Sequence, residues 1–135
     1  MVQFRPDAPI TIAVAANAGW FTLPDTSVDL PFGMGGVADA ESRLRRAFAR
    51  KLVVLLGTAD DDPAHPYLNR MAGAMAQGPH RLARGNYYFA RARAAAASRA
   101  AAFNWQRVEV PGVGHSNRRM APAAARVLAR ELRCE

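Results

Sequence analysis

Two stretches of the sequence carry residues whose chemistry suits proton transfer. Lys51–Pro63 (KLVVLLGTADDDP) passes from an apolar run into three consecutive aspartates, the first of which is Asp60. Val108–Ser116 (VEVPGVGHS) passes through a glycine-rich turn to His115. In nucleophilic catalysis a carboxylate orients an imidazole, and the imidazole takes the proton of the nucleophile. Asp60 and His115 therefore form a candidate pair of acid and base.

Each of these residues also has a plainer interpretation. Aspartates before a proline are usually turn and capping residues, and a single histidine after a turn is often a packing residue. A divalent cation held by Asp60–Asp62, His65 and His115 is a further alternative, but adjacent carboxylates do not converge on one ion. The glycines at Gly33–Gly36 lack the lysine of a phosphate loop. Cys134 has no partner for a thiol nucleophile or a disulfide.

Three apolar runs that are rich in β-branched residues predict strands, and helical spacing of apolar residues predicts four helices between and after them. The predicted strands are Ile10–Ala16, Lys51–Gly57 and Gln106–Val110. The predicted helices are Val37–Arg50, Pro66–Gln77, Asn86–Ala102 with Asn86 as its N-cap, and Arg119–Arg133. The long loop Phe21–Gly36 contains too many aromatic residues for a solvent loop, so we expect it to pack and to have a functional, lid-like role.

This alternation predicts an α/β fold with three parallel strands in sequential order and helices on both faces. Asp60 and His115 should then leave the same edge of the sheet, close enough for a hydrogen bond of about 2.6–3.2 Å. The outer flank of Ile10–Ala16 should be an unpaired apolar edge. Such an edge would allow the chain to self-associate.

The length of 135 residues fits a single domain, 1–135. The net charge of +7 would favour a nucleic-acid partner, but Lys51 is the only lysine and the arginines are spread over several helices. We therefore expect no specific nucleic-acid binding. No run reaches the ~18 apolar residues of a membrane span, and Arg5 and Asp7 stand where a secretory signal would be apolar. A cytoplasmic protein without a membrane partner is expected.

The two stretches resemble a known family. LLGTADDDP and VPGVGHS resemble the seventh and eighth strands of the α/β-hydrolase superfamily, with their catalytic loops, and ITIAVAANAGWFTLPD resembles the sixth strand of bacterial, esterase-like members. The resemblance covers essentially the whole chain and implies a partial domain, the C-terminal half of that fold. It implies that Asp60 is the acid and His115 the general base. It also implies that Trp20, Phe21 and Pro24 lie near the substrate pocket, and that no cofactor or metal is needed.

The sequence departs from the family in lacking the nucleophile elbow G-x-S-x-G. Its four serines, Ser27, Ser42, Ser98 and Ser116, all lie outside such a pattern. The resemblance therefore implies a serine-type hydrolase of a small ester or related acyl compound that carries two members of a catalytic triad and is inactive alone. It would act when an N-terminal half completes it. A non-catalytic fragment or binding module that keeps the fold remains the alternative.

Overall fold

The computed structural model describes residues 2–133. Within this range, three strands and four helices follow one another. They are β1 (Ile12–Ala16), α1 (Ala40–Phe48), β2 (Lys51–Gly57), α2 (Ala72–Met75), α3 (Arg81–Ser98), β3 (Trp105–Val110) and α4 (Asn117–Leu132). Cys134 lies outside the described residues.

The strands form one parallel sheet in the order β1-β2-β3, which confirms the predicted topology. The central strand β2 is buried over six consecutive residues, from Leu52 to Gly57, as its unbroken apolar run predicts. The bounds of β2 match the prediction, whereas β1 begins at Ile12 because the Ile10 amide donates to the Ala8 carbonyl in a turn. At the other edge, β3 begins one residue earlier than predicted, with Trp105 opposite Leu52.

Alternate side chains of β2 enter two separate cores. On one face, Leu52, Val54 and Leu56 pack in a cluster with residues of α1 and α3. On the other face, Val53 and Leu55 pack with residues of α4. Helices therefore cover both faces of the sheet, as the alternation of strands and helices predicts.

The prediction of a helix over Pro66–Gln77 is wrong in its first half, because only Ala72–Met75 is helical. Side chains bind the main chain there in turns. His65 Nδ1 accepts from the Tyr67 amide at 3.2 Å, and Asn69 Oδ1 accepts from the Met71 amide at 2.9 Å. Such local bonds compete with helical hydrogen bonds. The segment is therefore a loop beside the end of β2.

The predicted N-cap at Asn86 is also wrong. The third helix begins at Arg81, and its cap is His80, whose Nδ1 accepts from the Ala83 amide at 3.2 Å. Asn86 lies inside the helix and accepts a hydrogen bond from Arg107 of β3 at 2.5 Å. The helix ends at Ser98, shortly before Ala100 takes a left-handed conformation with φ of 47°.

The other two helices differ from prediction mainly at their starts. Helix α1 begins at Ala40 rather than Val37, because Asp39 takes a left-handed conformation with φ of 55°. Helix α4 begins at Asn117, two residues before the predicted start. Ser116 caps it, with its hydroxyl accepting from the Arg119 amide. The cap places this helix directly after His115.

The loop Phe21–Gly36 packs against the body of the domain, as expected from its aromatic residues. Met34 is completely buried, and Phe21 stacks on Tyr88 of α3 with ring centroids 4.3 Å apart. The Leu23 amide donates to the Phe32 carbonyl at 2.8 Å, which closes the loop on itself. Its lid-like role stays a prediction.

Strand β1 lies at one edge of the sheet and pairs only with β2 among the strands of the described part. A hollow of about 370 Å³ lies along it and is lined largely by apolar side chains, among them Ala13, Ala15 and Trp20. Among residues 2–133, the outer flank of β1 thus has no partner strand, as predicted, and self-association through it stays a prediction. No helix formed by residues 2–133 is both long and apolar enough to span a bilayer.

Candidate active site

The loops that follow β2 and β3 lie against each other at the carboxyl edge of the sheet. The Thr58 amide donates to the Val110 carbonyl, and the Ala59 amide donates to the Val113 carbonyl, each at 3.1 Å. Gly57 permits this close approach, because a Cβ atom at this residue would stand 2.2 Å from the Val113 oxygen. The two loops are therefore held in one arrangement, with Asp60 on the first and His115 on the second.

Asn17, at the end of β1, ties the same two loops together. Its Oδ1 accepts from the buried Gly57 amide at 2.8 Å, and its Nδ2 donates to the Gly114 carbonyl at 3.1 Å. Its backbone is left-handed, with φ of 44°, a conformation that asparagine tolerates better than most residues. The sequence patterns assigned no role to Asn17. The sequence feature that could have identified Asn17 is its place directly after a strand, where an asparagine side chain can bond to neighbouring loops.

The structure brings Asp60 and His115 together. His115 Nδ1 lies 3.1 Å from Asp60 Oδ2, within the expected range. An ionised carboxylate only accepts hydrogen bonds, so Nδ1 carries the proton and Nε2, across the ring, keeps its lone pair. The Asp60 side chain is 4% exposed and that of His115 is 41% exposed. The carboxylate is thus enclosed, while the imidazole reaches the surface.

The three aspartates differ in environment. Asp61 and Asp62 are exposed, and Asp62 Oδ1 accepts from the Ala64 amide at 2.8 Å in a turn. Only Asp60 faces His115, so the other two behave as turn residues. Residues 2–133 contain no cluster of three or more His, Cys, Asp and Glu side chains suited to a metal ion.

Arg81, in the first turn of α3, contacts the other oxygen of Asp60. Its Nη1 lies 3.4 Å from Asp60 Oδ1, and its side chain is 2% exposed. Its Nη2 donates to the Tyr67 carbonyl at 2.9 Å and lies 3.4 Å from His65 Nδ1. Sequence reasoning missed this residue because it placed the helix start at Asn86. A cation in the first turn of a helix is unfavourable for the helix dipole, and that conflict was the available signal.

His65 lies beside His115, with ring centroids 5.6 Å apart and an edge-on arrangement. Because its Nδ1 accepts from the Tyr67 amide, its proton resides on Nε2. The ring therefore adds a second imidazole to the site. The sequence analysis considered His65 only as a metal ligand.

A second buried arginine, Arg84, has a different role from Arg81. Its guanidinium donates to the main-chain carbonyls of Gly78, Gly19 and Asn69 at 2.9, 2.6 and 2.9 Å. Burial and the nearby charges of Arg81 and Arg70 lower the pKa of Arg84. Arg84 therefore joins three loops to α3, whereas among residues 2–133 the arginine that contacts the Asp60 carboxylate is Arg81.

The three residues expected near a substrate pocket have contacts elsewhere. Trp20 packs edge-on against Phe32 with ring centroids 4.9 Å apart, and Phe21 stacks on Tyr88. Trp20 and Phe21 also line the hollow along β1, whereas Pro24 lines a separate hollow of about 300 Å³. These contacts do not join Trp20, Phe21 or Pro24 to the Asp60–His115 pair. Their role in substrate binding stays a prediction.

Three of the four serines have their hydroxyl groups in local structural bonds. The Ser27 hydroxyl donates to Asp25 Oδ1 at 2.6 Å, and that of Ser98 donates to the Ala95 carbonyl at 3.0 Å. Ser116 is the cap of α4. None of these bonds is with His115. The described residues thus bring a carboxylate and an imidazole into contact, and the hydroxyl groups of Ser27, Ser98 and Ser116 bond elsewhere.

Comparison with known proteins gives relatives among solved structures. The chain is similar to poly(aspartic acid) hydrolase-1 from Sphingomonas sp. KT-1, with 41% identity, a TM-score of 0.90, and 93% of this chain matched to 47% of that one. It is also similar to LpqC, a poly(3-hydroxybutyrate) depolymerase from Bordetella parapertussis, with 34% identity, a TM-score of 0.89, and 99% of this chain matched to 49% of that one. No model of a protein family matches the chain, and no curated protein does. The chain spans about half the length of each of these two proteins.

Proposed function

We propose that this chain, which has part of the α/β-hydrolase fold, supplies the acid and the general base of a serine-type acyl hydrolase. It corresponds to the C-terminal half of hydrolases of the esterase and depolymerase type. The single observation that carries this proposal is the 3.1 Å hydrogen bond between His115 Nδ1 and the enclosed carboxylate of Asp60. The nucleophilic serine and the oxyanion donors would come from residues outside this sequence.

In the proposed reaction, His115 Nε2 takes the proton of the serine hydroxyl as the serine oxygen attacks the acyl carbon. The resulting imidazolium gives this proton to the leaving alcohol or amine, and an acyl-enzyme remains. His115 then deprotonates water as the water oxygen attacks the acyl carbon, and the imidazolium returns that proton to the serine oxygen when the acyl–serine bond breaks and the acid leaves. Asp60 holds the ring with Nδ1 protonated and stabilises its positive charge. The exposed face of His115 gives a substrate access to the base.

The proposed substrate class is a polymer with repeated acyl bonds. Both similar proteins are named for such polymers, one of which is anionic and one neutral. The net charge of +7 favours the anionic polymer, because a cationic protein attracts a polyanion at low ionic strength. We therefore propose that poly(aspartic acid) is hydrolysed faster than poly(3-hydroxybutyrate). The cytoplasmic location and the absence of specific nucleic-acid binding stay predictions.

The test joins this chain to the N-terminal half of the Sphingomonas hydrolase. The chimera should hydrolyse p-nitrophenyl esters and release fragments from poly(aspartic acid), and a fluorophosphonate should label its serine. The chain alone should show no ester hydrolysis, no polymer cleavage and no labelling, since it lacks G-x-S-x-G. Stoichiometric labelling of the chain alone would contradict this part of the proposal.

Asp60→Asn and Asp61→Asn provide a matched pair of variants within the chimera. Both remove one carboxylate from the same turn, but only Asp60 contacts His115. Asp60→Asn should lower kcat about 10⁴-fold, as expected when the imidazole tautomer is no longer fixed, and Asp61→Asn should leave it nearly unchanged. Equal activities of the two variants would contradict the assignment of Asp60. A folded chimera that binds polymer without turnover would favour the alternative of a binding module.

A further inference from the structure

The geometry points to Arg81 as a positioning residue that holds Asp60 Oδ1, so that Oδ2 stays directed at His115. This inference rests on the proposed function, in which Asp60 orients the imidazole. The Asp60 carboxylate has one oxygen on His115 Nδ1 at 3.1 Å and the other on Arg81 Nη1 at 3.4 Å. Rotation of the carboxylate about its Cβ–Cγ bond would break both contacts together.

The guanidinium is itself anchored on its far side. Its Nη2 donates to the Tyr67 carbonyl at 2.9 Å, so the two terminal nitrogens join Asp60 to the loop after it. A planar guanidinium can span two acceptors in this way, whereas a lysine ammonium acts as a point charge. The fork therefore fixes the position of the carboxylate in addition to supplying charge.

Asp60 is attached to α3 by its main chain as well. The Leu82 amide, in the first turn of the helix, donates to the Asp60 carbonyl at 3.0 Å. Adjacent residues of one helical turn thus hold the carboxylate and the carbonyl of Asp60. Because the start of α3 binds both the carboxylate and the carbonyl of Asp60, it restricts the side chain and the backbone of Asp60 together.

The cost of burying Arg81 supports a role beyond packing. The residue is 3% exposed, and its Nε has no hydrogen-bond partner within the described part of the chain. A buried donor left unpaired is unfavourable. An apolar residue of similar size would avoid this penalty. In exchange for this penalty, the two terminal nitrogens of the arginine reach Asp60 and Tyr67.

Arg84 provides a matched control. It lies one turn further along α3 and is completely buried, but its polar contacts are with main-chain carbonyls and the sulfur of Met75. Loss of either arginine should reduce stability. Only loss of Arg81 should disturb the hydrogen bond between Asp60 and His115.

The first measurement is the NMR signal of the His115 Nδ1 proton in the ¹⁵N-labelled chain, which requires no activity. The chain and its Arg84→Gln variant should show this signal with slow solvent exchange, and Arg81→Gln should lose it. Arg81→Lys should show it with faster exchange. Near-ultraviolet circular dichroism identifies folded variants. If Arg81→Gln does not fold, the test is the solvent-exchange rate of the His115 Nδ1 proton in Arg81→Lys. A rate equal to that of the unchanged chain overturns the inference.

The second measurement is kinetic and uses the chimera. Arg81→Lys should lower kcat about 10²-fold with little change in KM, because misplacement of a catalytic group by about 1 Å costs that much. An unchanged kcat overturns the positioning role. A folded chimera without any turnover contradicts the proposed function. The NMR signal of the chain alone still tests whether Arg81 maintains the hydrogen bond between Asp60 and His115.

Discussion

Replacement of Asn17 tests whether one side chain holds together the loops that carry Asp60 and His115. In Asn17→Ala, the buried Gly57 amide loses its acceptor, at a cost of about 1–3 kcal/mol, and the bond to the Gly114 carbonyl, about 0.5–1.5 kcal/mol, is lost as well. Alanine at a φ of 44° adds about 1–2 kcal/mol. If these contributions add, the variant should lose about 2.5–6.5 kcal/mol of unfolding free energy.

Two further replacements separate these contributions. Asn17→Gly removes both hydrogen bonds without the left-handed strain, so it should be less destabilising than Asn17→Ala by about 1 kcal/mol. Asn17→Asp keeps an acceptor for the Gly57 amide, but it buries a carboxylate oxygen 3.1 Å from the Gly114 carbonyl oxygen, so it should also be destabilising, most strongly where the carboxylate is ionised. Asn104→Ala is the control, because the side chain of this exposed asparagine makes one hydrogen bond, to the Ala49 carbonyl.

Urea unfolding followed by tryptophan fluorescence provides the assay, since Trp105 is buried in the core. For a slope of about 1–3 kcal/mol per M, the expected loss lowers the unfolding midpoint by about 1 M or more. The reasoning is refuted if Asn17→Ala and Asn104→Ala shift the midpoint equally, or if glycine and alanine at residue 17 give the same stability.

Three other outcomes follow from the packing, the charges and the sheet edge. Gly85→Ala should destabilise the chain by about 1–3 kcal/mol in urea unfolding, because its Cβ would stand 2.3 Å from the fully buried Leu56; an increase in stability would contradict this. Hydrogen bonds from Ser27 lower the pKa of Asp25 below 3.8, so its carboxylate stabilises the fold above that pH. The stability difference between the chain and Asp25→Asn should shrink as pH falls below 3.8, and a constant difference would refute the assignment. Sedimentation velocity should show concentration-dependent association through β1, reduced by Ala16→Lys at an exposed site on that strand; equal association of both proteins would exclude this edge.

The sheet was predictable because its signal is local in the sequence. The apolar run of β2 is long enough to be buried on both faces, and the right-handed crossover rule then fixes the parallel order. The same rule brought the ends of β2 and β3 to one edge. The contact between Asp60 and His115 therefore followed from topology together with two strand ends.

The helix starts were not predictable to the residue, because nonlocal or unusual local contacts set them. His80 is an uncommon cap, and its use moves the start of α3 to Arg81. The turns over Pro66–Met71 depend on His65 and Asn69 side chains that bond the main chain. Apolar spacing alone does not distinguish these turns from a helix. Arg81 was consequently missed as a neighbour of Asp60.

The central claim is that His115 is the general base, and replacement of histidines in the chimera tests it most directly. His115→Gln should lower kcat for a p-nitrophenyl ester by about 10⁴-fold or more, since the serine would lose its proton acceptor. His80→Asn is the control, because asparagine can still cap α3. The His80 variant should keep the full kcat of the chimera, and the His115 variant should lose nearly all of it. Comparable kcat values for the two variants would contradict the claim.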